Sequence, residues 1–240
     1  MKKYIESISK YIVIAITLTM LLDFKVQSQS LDISLAAKQE FSPSVSYQKI
    51  YNLGKKDRFQ IGWGIRANAF FSGEKSYSTA PALLTSGRQS IAAFFTEYNP
   101  AKIDTINFTK TNIISINSLI ILQYSFKKSA IGFNIDALGF TVGPKQNGIF
   151  RAAESPALNN SNQSAKPTPI NVLLISDSDI GSLNSELYYS RKLKNENAIK
   201  FGLSFQFLEY STENILTFEN NRFRYKTLMP FFCYSFNLKK

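Results

Sequence analysis

The sequence predicts an all-β chain folded as an antiparallel, up-and-down transmembrane barrel, and three observations carry that prediction. Strand-length segments alternate between apolar and polar residues. No stretch stays apolar over the ~20 residues that a spanning helix needs. The connections between alternating segments are short and long by turns, as in outer-membrane barrels. A chain of 240 residues is long enough for one such domain.

The first segment reads as a secretory leader. Lys2 and Lys3 give a positive start, 11–22 (YIVIAITLTMLL) is a short apolar run, and Val26-Gln27-Ser28 presents small residues where a signal peptidase reads. Residues 1–28 are expected to be a cleaved signal peptide, with a cut after Ser28 or after Ser30, and 29–240 the barrel. A lone cysteine, Cys233, excludes an internal disulfide and a cysteine metal cage.

Residues 58–72 read RFQIGWGIRANAFFS. Phe59, Ile61, Trp63, Ile65, Ala67, Ala69 and Phe71 share one face, against Gln60, Gly62, Gly64, Arg66 and Asn68 on the other. The same period of two recurs through 114–126, 130–143, 183–193, 199–207 and 232–238. It slips near Leu138, where a bulge is expected. Short connections fall at 54–57, 127–129 and 194–197, and long external loops are expected at 73–111 and 144–179. Six of the eight prolines lie in those two loops, while Pro230 falls inside the last strand and implies a bulge there. Both termini must lie at the same face, so a first strand is needed, and Leu31, Ile33, Leu35 and Ala37 supply it. The expected strands are about eight: 31–38, 43–53, 58–72, 112–127, 130–143, 181–193, 197–210 and 223–238.

Alternation alone does not say which face is inside, and a soluble, periplasmic, lipocalin-like ligand-binding barrel is the inverted alternative. Aromatic residues at strand ends (Tyr51, Phe59, Phe71, Tyr124, Phe126, Tyr234 and Phe236) favour lipid outside, as paired interface girdles. Arg66, Asp136, Glu186 and Lys200 in mid-strand suit a polar interior. On Gly62-Trp63-Gly64-Ile65-Arg66, Asn134-Ile135-Asp136, Leu183-Asn184-Ser185-Glu186 and Glu209-Tyr210, the chain resembles the small outer-membrane β-barrel proteins of Bacteroidetes-type bacteria, and more distantly the eight-stranded OmpA- and OmpX-like barrels. That resemblance implies residence in the cell outer membrane, lipid contact and biogenesis by the barrel-assembly machinery, and a monomer is expected. It carries over no single activity.

The formal charge is +11, or +9 once the expected leader is removed, and its excess lies at the short turns, in Lys55, Lys56, Arg58, Lys127, Lys128, Arg191, Lys192 and Lys194 against Asp57 and Glu196. The placement points to lipid headgroups at the periplasmic rim and away from nucleic acid, which asks for a basic stripe with accessible aromatics. The chain has no histidine, so the His-based mechanisms of outer-membrane barrel enzymes are out of reach. Asp177 and Asp179 are spaced like calcium ligands, but no glycine or distal glutamate completes a loop. The sequence therefore implies no enzyme, cofactor or metal.

The expected function rests on the lumen and the loops. Arg66, Asp136 and Glu186 are placed at one mid-barrel height, with Lys200 lower and taking up the remaining carboxylate charge. Gln60, Asn68, Asn117, Gln123, Asn134, Asn184 and Gln206 complete a polar filling. A plugged lumen leaves the external loops to carry surface interaction or an envelope-structural role. A small-solute pore is the rival reading.

Overall fold

The computed structural model describes residues 26–54, 57–87, 97, 99–174 and 179–238. Residues 1–25 of the expected leader (1–28), Lys55, Lys56 and Asp177 lie outside the described residues. One antiparallel sheet contains thirteen strands: β1 (Val26–Ala37), β2 (Phe41–Leu53), β3 (Phe59–Ser72), β4 (Lys75–Thr79), β5 (Thr105–Phe108), β6 (Thr111–Phe126), β7 (Ser129–Val142), β8 (Gln146–Arg151), β9 (Asn162–Pro167), β10 (Ile170–Val172), β11 (Leu183–Lys192), β12 (Ala198–Thr212) and β13 (Arg222–Asn237). Among the described residues the only α-helix is the single turn α1 (Ala82–Ser86), and none there is long and apolar enough to cross a membrane.

The expected count of eight is corrected to thirteen. Eight long strands form a closed ring in the order β1-β2-β3-β6-β7-β11-β12-β13, and β13 pairs back onto β1 from Ser30↔Asn237 to Ala36↔Phe231. The other five strands lie within the segments expected to be loops, so parts of 73–111 and 144–179 are sheet. β1 also starts earlier than expected, at Val26.

Four of the added strands close a second, smaller ring. β12 runs past the end of β11 and there pairs with β9, at Tyr210↔Pro167. β13 likewise runs past β1 and pairs with β4, at Phe223↔Thr79. β4–β5, β5–β8 and β8–β9 complete the circuit. Two strands, β12 and β13, thus run continuously through both rings, and the small ring caps the end of the barrel opposite the short turns. β10 extends the large ring along β7 above β11.

The two rings have opposite polarity. In the large ring, Ile65, Ile120, Ile131, Leu187, Phe201, Leu203 and Phe232 point out and are exposed, while Arg66, Asn117, Asn134, Ser204 and Gln206 point in and are buried. In the cap, Tyr77, Ile106, Phe108, Phe150, Tyr210 and Phe223 point in and are fully buried. Strand β12 carries the change within one alternation. Its inward residues pass from Lys200, Ser204 and Gln206 to Leu208 and Tyr210, and its outward residues from the exposed Phe201, Leu203 and Phe205, through Phe207 buried under Arg224, to Glu209 buried against Arg222 and Arg224 and the half-buried Ser211.

The β7 phase slip is a register shift that skips Ala137. Leu119 pairs with Asp136 and Ser118 with Leu138, so inward residues are even-numbered below the bulge and odd-numbered above it. The expected bulge at Pro230 is absent, because Pro230 pairs in register with Leu203. On its other edge the β1 ladder ends at Phe231 and the β4 ladder begins only at Arg224, so Pro230 has one ladder neighbour and its missing N–H is tolerated.

Candidate functional site: the barrel lumen and its two ends

Inward side chains fill the large ring in layers. In the middle layer, Arg66 Nη2 donates to Glu186 Oε2 at 2.7 Å, and Arg66 Nη1 lies 3.5 Å from Asp136 Oδ1. Asn134 and Asn184 donate to Glu186, at 3.2 and 3.4 Å. Asn117 Nδ2 and the Asn184 backbone N–H donate to Asp136 Oδ2, at 2.8 and 3.0 Å. Strand register sets this meeting. Arg66 faces Asn117 across β3–β6, and Glu186 faces Asn134 across β11–β7.

Lys200 departs from its expected role. It stands one layer lower and donates to Asp32 Oδ2 at 2.6 Å and to Gln48 Oε1 at 3.1 Å, with Ser235 Oγ holding the other Asp32 oxygen at 2.5 Å. The reason is the closure seam. Asp32 pairs with Ser235 and Lys200 with Cys233, which brings the first, penultimate and last long strands side by side. Alternation in β1 does put Asp32 inward, opposite Leu31 and Ile33, so its facing was available in the sequence while its partner was not.

Tyr188 is a second omission. It is inward by parity and fully buried, its ring lies 5.0 Å from Lys200 Nζ, and its hydroxyl donates to Gln123 Oε1 at 3.2 Å. It pairs with Gly132 on one side and Gly202 on the other. A Cβ at Gly132 would come within 2.3 Å of the tyrosine ring, so that glycine makes room for the aromatic group crossing the lumen. The signal was an inward tyrosine between strands whose inward positions are glycine.

The remaining polar residues bond along the lumen. Gln206 and Asn68 both meet Ser42, through bonds of 3.0 Å. Asn171 of β10 donates to Asn117 Oδ1 at 2.7 Å and accepts from Thr141 at 3.0 Å. At the opposite end, Gln60 Oε1 accepts from Gln123 and Ser125, at 2.6 Å each.

Below that glutamine cluster the lumen opens at the short-turn end into a vestibule of about 590 Å³, with Lys200, Gln60 and Gln123 among the residues that line it. Lys127 and Lys128 form the β6–β7 turn at its rim, Lys127 with a left-handed φ of 55°. At the other end the lumen runs into the cap. There Tyr77 stacks edge-on against Phe108 and Tyr210, with ring centroids at 5.1 and 5.4 Å. Burial pushes the hydroxyls of Tyr77 and Tyr210 well above their ordinary pKa.

Outside the cap, Glu209 accepts from Arg222 Nε at 2.7 Å and from Arg224 Nη2 at 2.8 Å, and both guanidinium groups also donate to the Asp179 carbonyl. Asp179 Oδ1 caps the Leu174 N–H at 2.6 Å. Among the described residues, no group of three histidine, cysteine, aspartate or glutamate side chains is placed to hold a metal.

Comparison with protein-family models, curated proteins and solved structures finds no match.

Proposed function

We propose that this chain is an outer-membrane β-barrel, closed to solutes, that anchors a compact cap for surface interaction or envelope structure. The observation that carries the reading is the reversal of polarity between the rings. An apolar exterior around a charged interior is favourable only against lipid, and a polar exterior around an apolar core only against water. The reversal along β12 then marks a hydrocarbon–water boundary. A soluble lipocalin-like barrel requires one sign along its whole length, with the apolar face inside.

Dimensions agree. Phe59 and Phe71 are exposed at the two ends of β3, 12 residues apart. At ~3.3 Å per residue and a tilt of about 40° the apolar band is roughly 30 Å tall, close to a hydrocarbon core. Aromatic contacts run around the short-turn end, from Phe59 to Tyr124 at 4.9 Å, through Phe126 and Tyr189, to Phe201 at 5.2 Å. Such a belt suits the headgroup level. Against a pore stand the Lys200–Asp32–Tyr188 and Arg66–Glu186–Asp136 layers, and above them the cap core.

Cell fractionation with electrophoresis of boiled and unboiled samples tests the reading. The protein is expected in the outer-membrane fraction, with a mature N-terminus near Gln29 and a mobility that shifts on boiling. Recovery from the soluble periplasm without a heat shift would establish the lipocalin-like alternative instead.

A further inference from the structure

The vestibule at the short-turn end is built differently from the lumen above it. Its walls are hydroxyl-rich: Ser30, Ser129, Ser190 and Ser235 are buried side chains that line it. Cations outnumber carboxylates on its surface, with Arg58, Lys127, Lys128, Lys192 and Lys200 against Asp57 and Glu196. Lys200 is committed to Asp32 at 2.6 Å, and Lys192 lies 3.7 Å from Glu196. Arg58, Lys127 and Lys128 have no ion-pair partner among the described residues.

Three cations against the one remaining carboxylate, Asp57, leave the mouth of this dead-ended cup positive and focus that potential into it. Behind them the Ser30 and Ser190 hydroxyls rotate to donate to whatever oxygen enters, while Ser129 and Ser235 are held by Tyr189 and Asp32. The volume of about 590 Å³ falls within the range of small-molecule sites, but the polar lining suits a hydrated, charged guest in place of an apolar one. Snorkelling toward headgroups accounts for cations outside a barrel; it does not account for serines and cations that line its interior.

We infer that the vestibule binds a small multivalent phosphate-bearing anion from the compartment facing the short turns. Lys127, Lys128 and Arg58 supply the charge, and the serine walls supply hydrogen bonds. This goes beyond the membrane reading, since the cup exists whether the apolar exterior meets lipid or another surface.

The test is calorimetric titration of the full chain, folded in zwitterionic micelles at low salt, with inorganic pyrophosphate. One saturable site per chain is expected. It should weaken at least tenfold in Lys127→Asn/Lys128→Gln, where asparagine suits the left-handed turn position, with the heat-dependent mobility shift unchanged. Lys110→Gln/Lys166→Gln removes the same charge from exposed positions outside the vestibule and should leave binding as it was. Should the first pair fail to fold, Arg58→Gln is read in its place, with a severalfold loss expected. Repeating the titration in bilayers containing phosphatidylglycerol separates the sources: binding retained there assigns the site to a free anion, and binding abolished assigns it to a lipid headgroup phosphate. No saturable heat at millimolar pyrophosphate, or equal losses in the vestibule pair and the Lys110/Lys166 pair, would overturn the inference.

Discussion

Arg66 is 1% exposed and reaches two buried carboxylates, so its removal strands two charges away from water. Breaking a buried pair from one side costs about 3–5 kcal/mol, because the remaining charge keeps its desolvation penalty. Arg66→Ala should therefore lower stability to urea in micelles by roughly that amount. Arg66→Met/Asp136→Asn/Glu186→Gln should recover most of the loss, since no charge is left unpaired. Equal stability of Arg66→Ala and the unaltered chain would mean that the trio contributes nothing. At the base of the cap, Glu40 Oε1 accepts from Lys75 at 2.6 Å and from the Tyr225 hydroxyl at 2.5 Å. Burial works to raise the Glu40 carboxyl pKa, but the bonds from Lys75 and Tyr225, with the lysine charge, outweigh it and hold the carboxyl below its ordinary 4.5. A depressed carboxyl stabilises the fold above its unfolded pKa and stops doing so as pH falls through the folded value. Stability of the cap should thus decline below about pH 4.5, and Glu40→Gln should flatten that acid slope in thermal melts followed from pH 6 to pH 3. Individual lumen residues were legible to the extent that parity governs them. Arg66, Asp136, Glu186, Gln60, Asn117 and Asn134 follow from alternation, whereas the Lys200–Asp32 pair depends on which strands become neighbours at closure.

Strand β12 shows how far a single element can be read. Its alternation is plain in AIKFGLSFQFLEYST, and the switch from polar to apolar inward residues after Gln206 is in the same string. What concealed the switch was its cause: Leu208 and Tyr210 face inward into a ring completed by β4, β5, β8 and β9, strands of 4 to 6 residues that alternation does not separate from loop. In β5 the sequence Thr-Ile-Asn-Phe spans only four residues, too few for a periodic signal, and its pairing with β8 crosses the whole of β6 and β7. The cap is therefore a folded element with its own core, and its side chains predict separable stability. Phe108 is fully buried against Tyr77 and Tyr210. Phe108→Ala should destabilise the cap by about 3–5 kcal/mol, as for other buried aromatic truncations. Limited proteolysis should then cut within 73–111 or 144–179 while the heat-shifted mobility of the large ring persists. Loss of both together would show that the rings fold as one cooperative unit. Tyr210→Phe, by contrast, removes a buried hydroxyl with no partner and should leave the cap unchanged or slightly more stable.

At the scale of the molecule, closure was foreseeable and its consequence was only half visible. Both termini at one face, with alternating short and long connections, call for a ring in which the last strand meets the first, and β13 does pair with β1. The second ring follows from β12 and β13 outrunning their neighbours, a length difference that strand boundaries read from sequence do not resolve. Together the rings put two barriers in series along one axis. The lower is the lumen filling, where Tyr188 crosses between Gly132 and Gly202 and Arg66 ties Glu186 to Asp136; the upper is the Tyr77–Phe108–Tyr210 core of the cap. An ion crossing the first would meet buried side chains in place of water, and one crossing the second would meet an apolar plug, where an unpaired charge is costly. Barriers in series fail only together. In planar bilayers the unaltered chain should give no stable conductance steps, nor should Tyr188→Ala, because the cap still seals the far end. Removal of residues 78–108 should give none either: the ladders that close the eight long strands lie outside that segment, and the lumen layers stay in place. Steps should appear only when Tyr188→Ala and Arg66→Ala, which open both lumen layers, are combined with that removal, and steady conductance from the lumen changes alone or from the removal alone would show that one barrier by itself closes the barrel.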